Sequence, residues 1–169
     1  SVGPGNVLRD ILASDKIKKV KLNQIYRQTE NSMITINAHH INTGTMPEMN
    51  NPGSDFFFMQ KNSPDKLVRT IVELCAERLP KTYGYHPMED IQVLTPLRKG
   101  FAGVNELNVC LQNVLNPKSR GKKEYEYKGF VYREGDKVMQ IKNNYQMPWT
   151  MKNNDRLFGD GIFNGDMGI

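Results

Sequence analysis

Nowhere in these 169 residues is there a G-x-x-x-x-G-K-[ST] phosphate loop, and the glycine-rich turn Gly3-Pro4-Gly5 lacks the third glycine of a dinucleotide fingerprint. The chain has no nucleotide site of its own by either usual route. Cysteine is scarce: Cys75 and Cys110 lie inside amphipathic helical patterns and lack the paired spacing of zinc ligands. They read as buried free thiols, which goes with a cytoplasmic location. Histidine is scarce too, and His39 and His40 are adjacent. On a helix they would point about 100° apart and could not share an ion. With His86 remote in sequence, no metal site is expected. No apolar run approaches the roughly 20 residues that cross a bilayer, and no charged-then-apolar leader opens the chain.

What is present fits a soluble chain, with 38% hydrophobic residues and a mean hydropathy of −0.60. The length suits one domain with a single sizeable core. A net charge of +5 and an isoelectric point near 9.2 suit a polyanionic partner, or merely a basic surface. The chain starts at Ser1 without methionine and ends in a turn feeding an unfinished strand, so it reads as an excised piece of a longer protein.

Along the chain, Asn6 caps a predicted helix from Val7 to Ser14, after the Gly3-Pro4-Gly5 turn. Residues 20–26, VKLNQIY, alternate apolar and polar side chains as a strand with one buried face does, and deliver Arg27 and Gln28 at their end. Ser32 caps a helix from Met33 to about Asn42 that stops at Gly44. DFFFMQ, residues 55–60, reads as a short buried strand. Ser63-Pro64-Asp65 starts a helix whose stripe is Leu67, Ile71, Leu74, Cys75 and Leu79, ending before Pro80. DIQVLTP, residues 90–96, reads as a core strand. Residues 104–115 form a helix with Leu107, Cys110, Leu111 and Val114 on one face. Strands alternating with helices argue for an α/β fold with a parallel sheet and helices on its faces. Residues 118–128 read as charged and mobile, 129–145 as strand, turn and strand, 146–161 as loop, and the last residues as a further strand and turn.

Two segments carry candidate chemistry. In TPLRKGFAGVNELN, Thr95 and Pro96 end the strand, Arg98 and Lys99 follow, and Gly100 and Gly103 lead into a helix N-terminus. Such a loop lies at the carboxyl edge of a parallel sheet, where amides, helix dipole and cations together bind anions. A solvated connecting loop is the alternative. In DKVMQIKNNYQMPW, the cations Lys137 and Lys142 precede the amides Asn143 and Asn144 and the aromatics Tyr145 and Trp149. Amides and lysines contact phosphates and aromatics stack on bases, although an exposed strand and turn would look the same.

These blocks carry a resemblance. SVGPGNVLRDIL, LNQIYRQ with INAHHIN, DIQVLTPLRKG with AGVNELN, GDKVMQIKNNY and FNGDMG resemble the RecD-like DNA helicases of superfamily 1, in that family's order and over essentially the whole chain. The resemblance implies a three-layer parallel sheet with flanking helices, an incomplete RecA-like domain of the P-loop NTPase type, over residues 1–117. Residues 118–169 would be a basic, hairpin-rich segment leading toward an inserted SH3-like barrel beyond the chain. It implies an intact parent that unwinds DNA in the 5′-to-3′ direction with ATP and Mg²⁺, the fragment alone being inactive. Arg27 would be the arginine aimed at a γ-phosphate held by the parent's first RecA-like domain, or else pair with a carboxylate such as Glu30. Gln28 would lie near the ATP. Gly3, Pro4, Gly5, Thr95, Arg98, Lys99, Asn143 and Asn144 would grip single-stranded DNA. The family contains members that act alone and members inside an exonuclease V complex. The competing readings are a stand-alone nucleic-acid-binding α/β module and a protein-docking module without motor activity.

Overall fold

The computed structural model describes residues 6–14, 16–20, 32–49, 51–151 and 153–169. Contacts divide the chain into two compact units, Ser1–Gln60 and Lys61–Ile169. The expected strand at 20–26 lies, apart from Val20, outside the described residues, as do Arg27 and Gln28.

In the first unit, α1 runs over Val7–Ala13 and exposes its apolar side chains, Leu8 and Leu12 among them. The Lys19 ammonium donates to the carbonyl of Leu12 (2.6 Å), satisfying one of the acceptors a helix end leaves open. α2, Met33–Thr43, stops at Gly44 as the sequence predicts. Its N-terminus differs from expectation, because Ser32 makes no side-chain cap. Its hydroxyl donates to Asp55 Oδ2 (2.6 Å), and Asp55 Oδ1 accepts from the Ile34 amide (3.3 Å). A carboxylate 21 residues downstream thus takes the capping role, where the helix dipole favours negative charge. Asn37, fully buried, donates to the Glu48 carbonyl (2.7 Å) and accepts from the Glu48 amide (2.8 Å), holding the segment after α2 against its face.

In the second unit, Ser63 accepts from the Lys66 amide (3.3 Å) and Pro64 occupies the first turn of α3, Pro64–Glu73. The helix does not end before Pro80. It passes through a π turn, Leu74–Arg78, into α4, Leu79–Tyr83. Proline has no N–H to give its i−4 carbonyl and its ring crowds that group. The π turn, in which Leu79 N–H bonds back to the Leu74 carbonyl, locally widens the spiral just before the proline. α5 spans Val104–Leu115 as predicted.

The parallel three-layer sheet expected from the order of elements is not the fold. All strand pairs among the described residues are antiparallel, in three two-stranded sheets: β1 (Glu124–Tyr127) with β2 (Phe130–Arg133), β3 (Val138–Met139) with β6 (Met167–Gly168), and β4 (Asn144–Met151) with β5 (Asn154–Ile162). Residues 55–60 and 90–96, read as core strands, are not among the strands of the described residues. In the second, Ile91, Val93 and Thr95 are half-buried and alternate with exposed Gln92, Leu94 and Pro96. The period-2 pattern is real, but it reports a face and not a partner.

Residues 146–161, expected to be loop, form most of the longest hairpin. Its strand signal is masked by Pro148 and by Gly159 and Gly161, residues normally poor in strands. The ladder accommodates Pro148 next to a register shift. A Cβ at Gly159 would meet the Trp149 ring at 2.9 Å, so only glycine lets the indole lie across the partner strand.

Nor is a single sizeable core seen among the described residues. Among the described residues only Cys75 and Leu107 are fully buried apolar side chains. The predicted stripe residues Leu67, Ile71, Leu74 and Leu79 remain half-buried, and Val114 is half exposed.

Candidate functional site

The loop between residues 95 and 103 is built by its own hydrogen bonds. The Thr95 hydroxyl donates to the Ala102 carbonyl (2.8 Å) and accepts from the Leu97 amide (3.3 Å). Gly103 N–H closes on Gly100 O (2.9 Å). Buried Gly103 leaves no room for a side chain, since a Cβ there would lie 2.7 Å from the Lys99 carbonyl. The first amides of α5 are used as well, Val104 N–H on Leu97 O (2.9 Å) and Asn105 N–H on Arg98 O (3.3 Å). The loop therefore caps α5 itself, and those two amides are not offered to an anion. Arg98 and Lys99 stand exposed on its outside. Lys99, Gly100, Phe101, Asn105 and Glu106 line an open cleft of about 330 Å³ beside them. What this loop offers a polyanion is two exposed cations on a rigid turn, with Thr95 as a structural brace.

Asn143 and Asn144 lie on a different element, at the start of β4. Asn143 Oδ1 accepts from the Asn164 amide (2.8 Å) and its Nδ2 donates to the Tyr145 hydroxyl (3.3 Å). Asn144 Oδ1 accepts from the Gln146 amide (3.2 Å). Tyr145 and Phe163 meet edge to face at 5.6 Å above the same turn. Asn143 holds the β4 start to the turn before β6, and Asn144 braces the start of β4 itself. Lys137 likewise donates to the Ile91 carbonyl (3.1 Å). Gly3, Pro4, Gly5, Arg27 and Gln28, the remaining expected contacts, lie outside the described residues.

The densest polar cluster was not foreseen. It joins the C-terminus of α5 to the β1–β2 hairpin. Gln112 donates to the Val131 carbonyl (2.9 Å) and to Asp136 Oδ2 (2.6 Å). Buried Asn116 donates to the Glu134 carbonyl (3.1 Å) and Asp136 Oδ1 (2.7 Å), and accepts from Lys122. Arg133, also buried, donates through Nη1 to the Asn116 carbonyl (2.5 Å) and through Nε to Glu124 Oε1 (2.8 Å). Lys118 reaches the other oxygen of Glu124 at 2.7 Å. Hydrogen bonds from Lys118 and then Arg133 hold the Glu124 carboxyl below the usual carboxylate range. The sequence shows Asn116-Pro117 as a helix stop and Glu134-Gly135-Asp136 as a turn, but not that the two interlock.

Cys75 is a buried thiol as expected, and burial pushes its pKa up. Cys110 is only part-buried. Burial and the neighbouring Glu106 carboxylate, which its thiol faces at 3.7 Å, raise it too. Neither has the electropositive surroundings of a reactive cysteine. Among the described residues no three histidine, cysteine or carboxylate side chains gather where they could hold a metal ion, and no helix is long and apolar enough to cross a membrane.

Two comparisons bear on this arrangement. Residues 107–169, which include most of α5 and all six strands, match a family described as the ATP-dependent RecD-like DNA helicase SH3 domain. Over 150 residues, 89% of the chain, it is 32% identical to the ATP-dependent RecD2 DNA helicase of Deinococcus radiodurans. The chain spans 17% of that relative's length. The matches agree in supporting a RecD-like helicase family. They also place the residues of the SH3 domain inside the chain, whereas the sequence put that barrel beyond it. Small antiparallel hairpins like those of residues 124–168 are what an SH3-like β domain is made of.

Proposed function

We propose that this chain is a segment of a RecD-like DNA helicase, an enzyme that uses ATP and Mg²⁺ to move 5′-to-3′ along single-stranded DNA. The observation that carries the reading is the 32% identity to a RecD2 helicase across 89% of the chain, joined by the SH3-domain match. Within that enzyme Arg27 would act as an arginine finger on an ATP held by the parent's phosphate-loop domain, with Gln28 beside it. Charge developing on the γ-phosphate in the transition state is what a guanidinium fork stabilises. Arg98 and Lys99, exposed on a braced loop, would contact DNA phosphates. Gly3 to Gly5 would contribute backbone to the same track. Thr95, Asn143 and Asn144 would support it chiefly by holding their turns, given the bonds their side chains already make. The free thiols Cys75 and Cys110 suit a cytoplasmic enzyme, and subunits of a nuclease complex are further candidate partners. The segment alone, without a phosphate loop, would not turn over ATP.

The test is directional unwinding by the parent protein. A duplex with a 5′ single-stranded tail should be opened in the presence of ATP and Mg²⁺, and one with only a 3′ tail should not. Equal opening of both, or of neither, would remove the reading.

A further inference from the structure

The register of β1 against β2 sorts the hairpin's side chains onto two faces. Glu124 lies opposite Arg133 and Glu126 opposite Val131, while Tyr125 lies opposite Tyr132 and Tyr127 opposite Phe130. The Arg133 face is the one tied to α5 through Glu124 and Asn116. The other face is entirely aromatic and open, with Tyr125, Tyr127, Phe130 and Tyr132 at 67%, 49%, 36% and 45% exposure. The rings of Tyr125 and Tyr127 lie nearly parallel, 6.4 Å apart and 16° between planes. A two-residue turn, Lys128-Gly129, with φ of 52° and 78°, closes the hairpin and places the Lys128 ammonium 5.1 Å from the Tyr127 ring centre. Arg120 and Lys123 stand exposed just before β1.

We propose that this face is a stacking platform for single-stranded nucleic acid. Bases would lie on the Tyr125 and Tyr127 rings, and phosphates would run past Lys128, Lys123 and Arg120. Exposed parallel rings fringed by cations are the combination that takes up unpaired bases without regard to sequence. Hydroxyl-bearing rings beside lysines suit an anionic strand better than the apolar face of a protein. The choice of a single strand as partner rests on the helicase reading; the platform itself rests on the hairpin.

The test compares two labelled 15-mers binding the full 169-residue chain at fixed salt, oligo(dT) and an abasic strand with the same phosphates, followed by fluorescence anisotropy. Each stacked base should favour oligo(dT) by about fivefold or more. The double change Tyr125→Ala with Tyr127→Ala should abolish that preference and leave abasic binding as it was. Tyr125→Phe with Tyr127→Phe, which keeps both rings, should retain it and guards against a folding artefact. Equal affinity for the two strands, or a preference surviving the alanine pair, would overturn the platform. So would self-association of the chain through these rings without any effect on oligonucleotide binding. Unwinding of 5′-tailed duplex by the parent is a separate readout, so the platform can fail while the helicase reading stands, and the reverse.

Discussion

Asn37 does for the segment after α2 what a neighbouring strand would do. It gives one donor and one acceptor to the Glu48 backbone from a fully buried position. Asn37→Ala leaves the Glu48 amide and carbonyl short of partners, and should cost about 1–3 kcal/mol in urea unfolding of the chain. Asn37→Asp sets a buried carboxylate against the Glu48 carbonyl and should cost at least as much at neutral pH. Glu124 makes a pH prediction. Its carboxyl is held down in the folded chain by Lys118 and Arg133, so its contribution to stability is in place above the ordinary carboxylate range. It disappears as pH falls through the lowered folded value. Melting temperature should therefore decline on acidification below that range more steeply for wild type than for Glu124→Gln. Parallel declines would show that the bridge contributes nothing.

At the scale of elements, β4–β5 offers a clean probe because Trp149 is the chain's single tryptophan. Gly159→Ala would bring a methyl group to 2.9 Å from the indole. The ring must move toward water, shifting its emission to longer wavelength and costing about 1–3 kcal/mol of hairpin stability. An unchanged spectrum would mean that the indole does not cross Gly159 in solution.

The helices were readable from sequence because their signals are local. Ser63-Pro64 starts α3, Gly44 closes α2, and Leu107 and Cys110 mark the inner side of α5. The failures came where partners are distant. Nothing near Ser32 announces that Asp55 will cap α2, and Pro80, expected to end a helix, is absorbed by the π turn Leu74–Arg78 just before it. The runs at 55–60 and 90–96 have strand-like composition, but a local pattern reports a face and does not by itself form a ladder. Of the candidate site, the sequence shows a loop with Arg98 and Lys99 entering α5, but the parallel-sheet edge expected beneath it is not found among the described residues, and its self-capping is not visible in the sequence. The alternation Glu-Tyr-Glu-Tyr at 124–127 was there to be read as a two-faced strand, and its charge obscured it.

Across the whole molecule, many apolar side chains of the described residues stand exposed, which suits the proposed place within a larger helicase. Apolar side chains such as Val68, Val72, Ala76 and Val114 line an open groove of about 460 Å³ between α3, the π turn and α5. A helicase parent would provide the missing surroundings and the nucleotide. Whether this chain serves an ATP-driven motor is read out through Arg27, by ATP hydrolysis of the parent protein with saturating single-stranded DNA. Arg27→Ala should leave nucleotide affinity within a few-fold and reduce hydrolysis by roughly 10³–10⁵-fold, as removal of an arginine finger does. Arg27→Lys should recover little, because an ammonium lacks the planar fork. Near-normal turnover per folded molecule in Arg27→Ala would rule out Arg27 as the finger of such a motor.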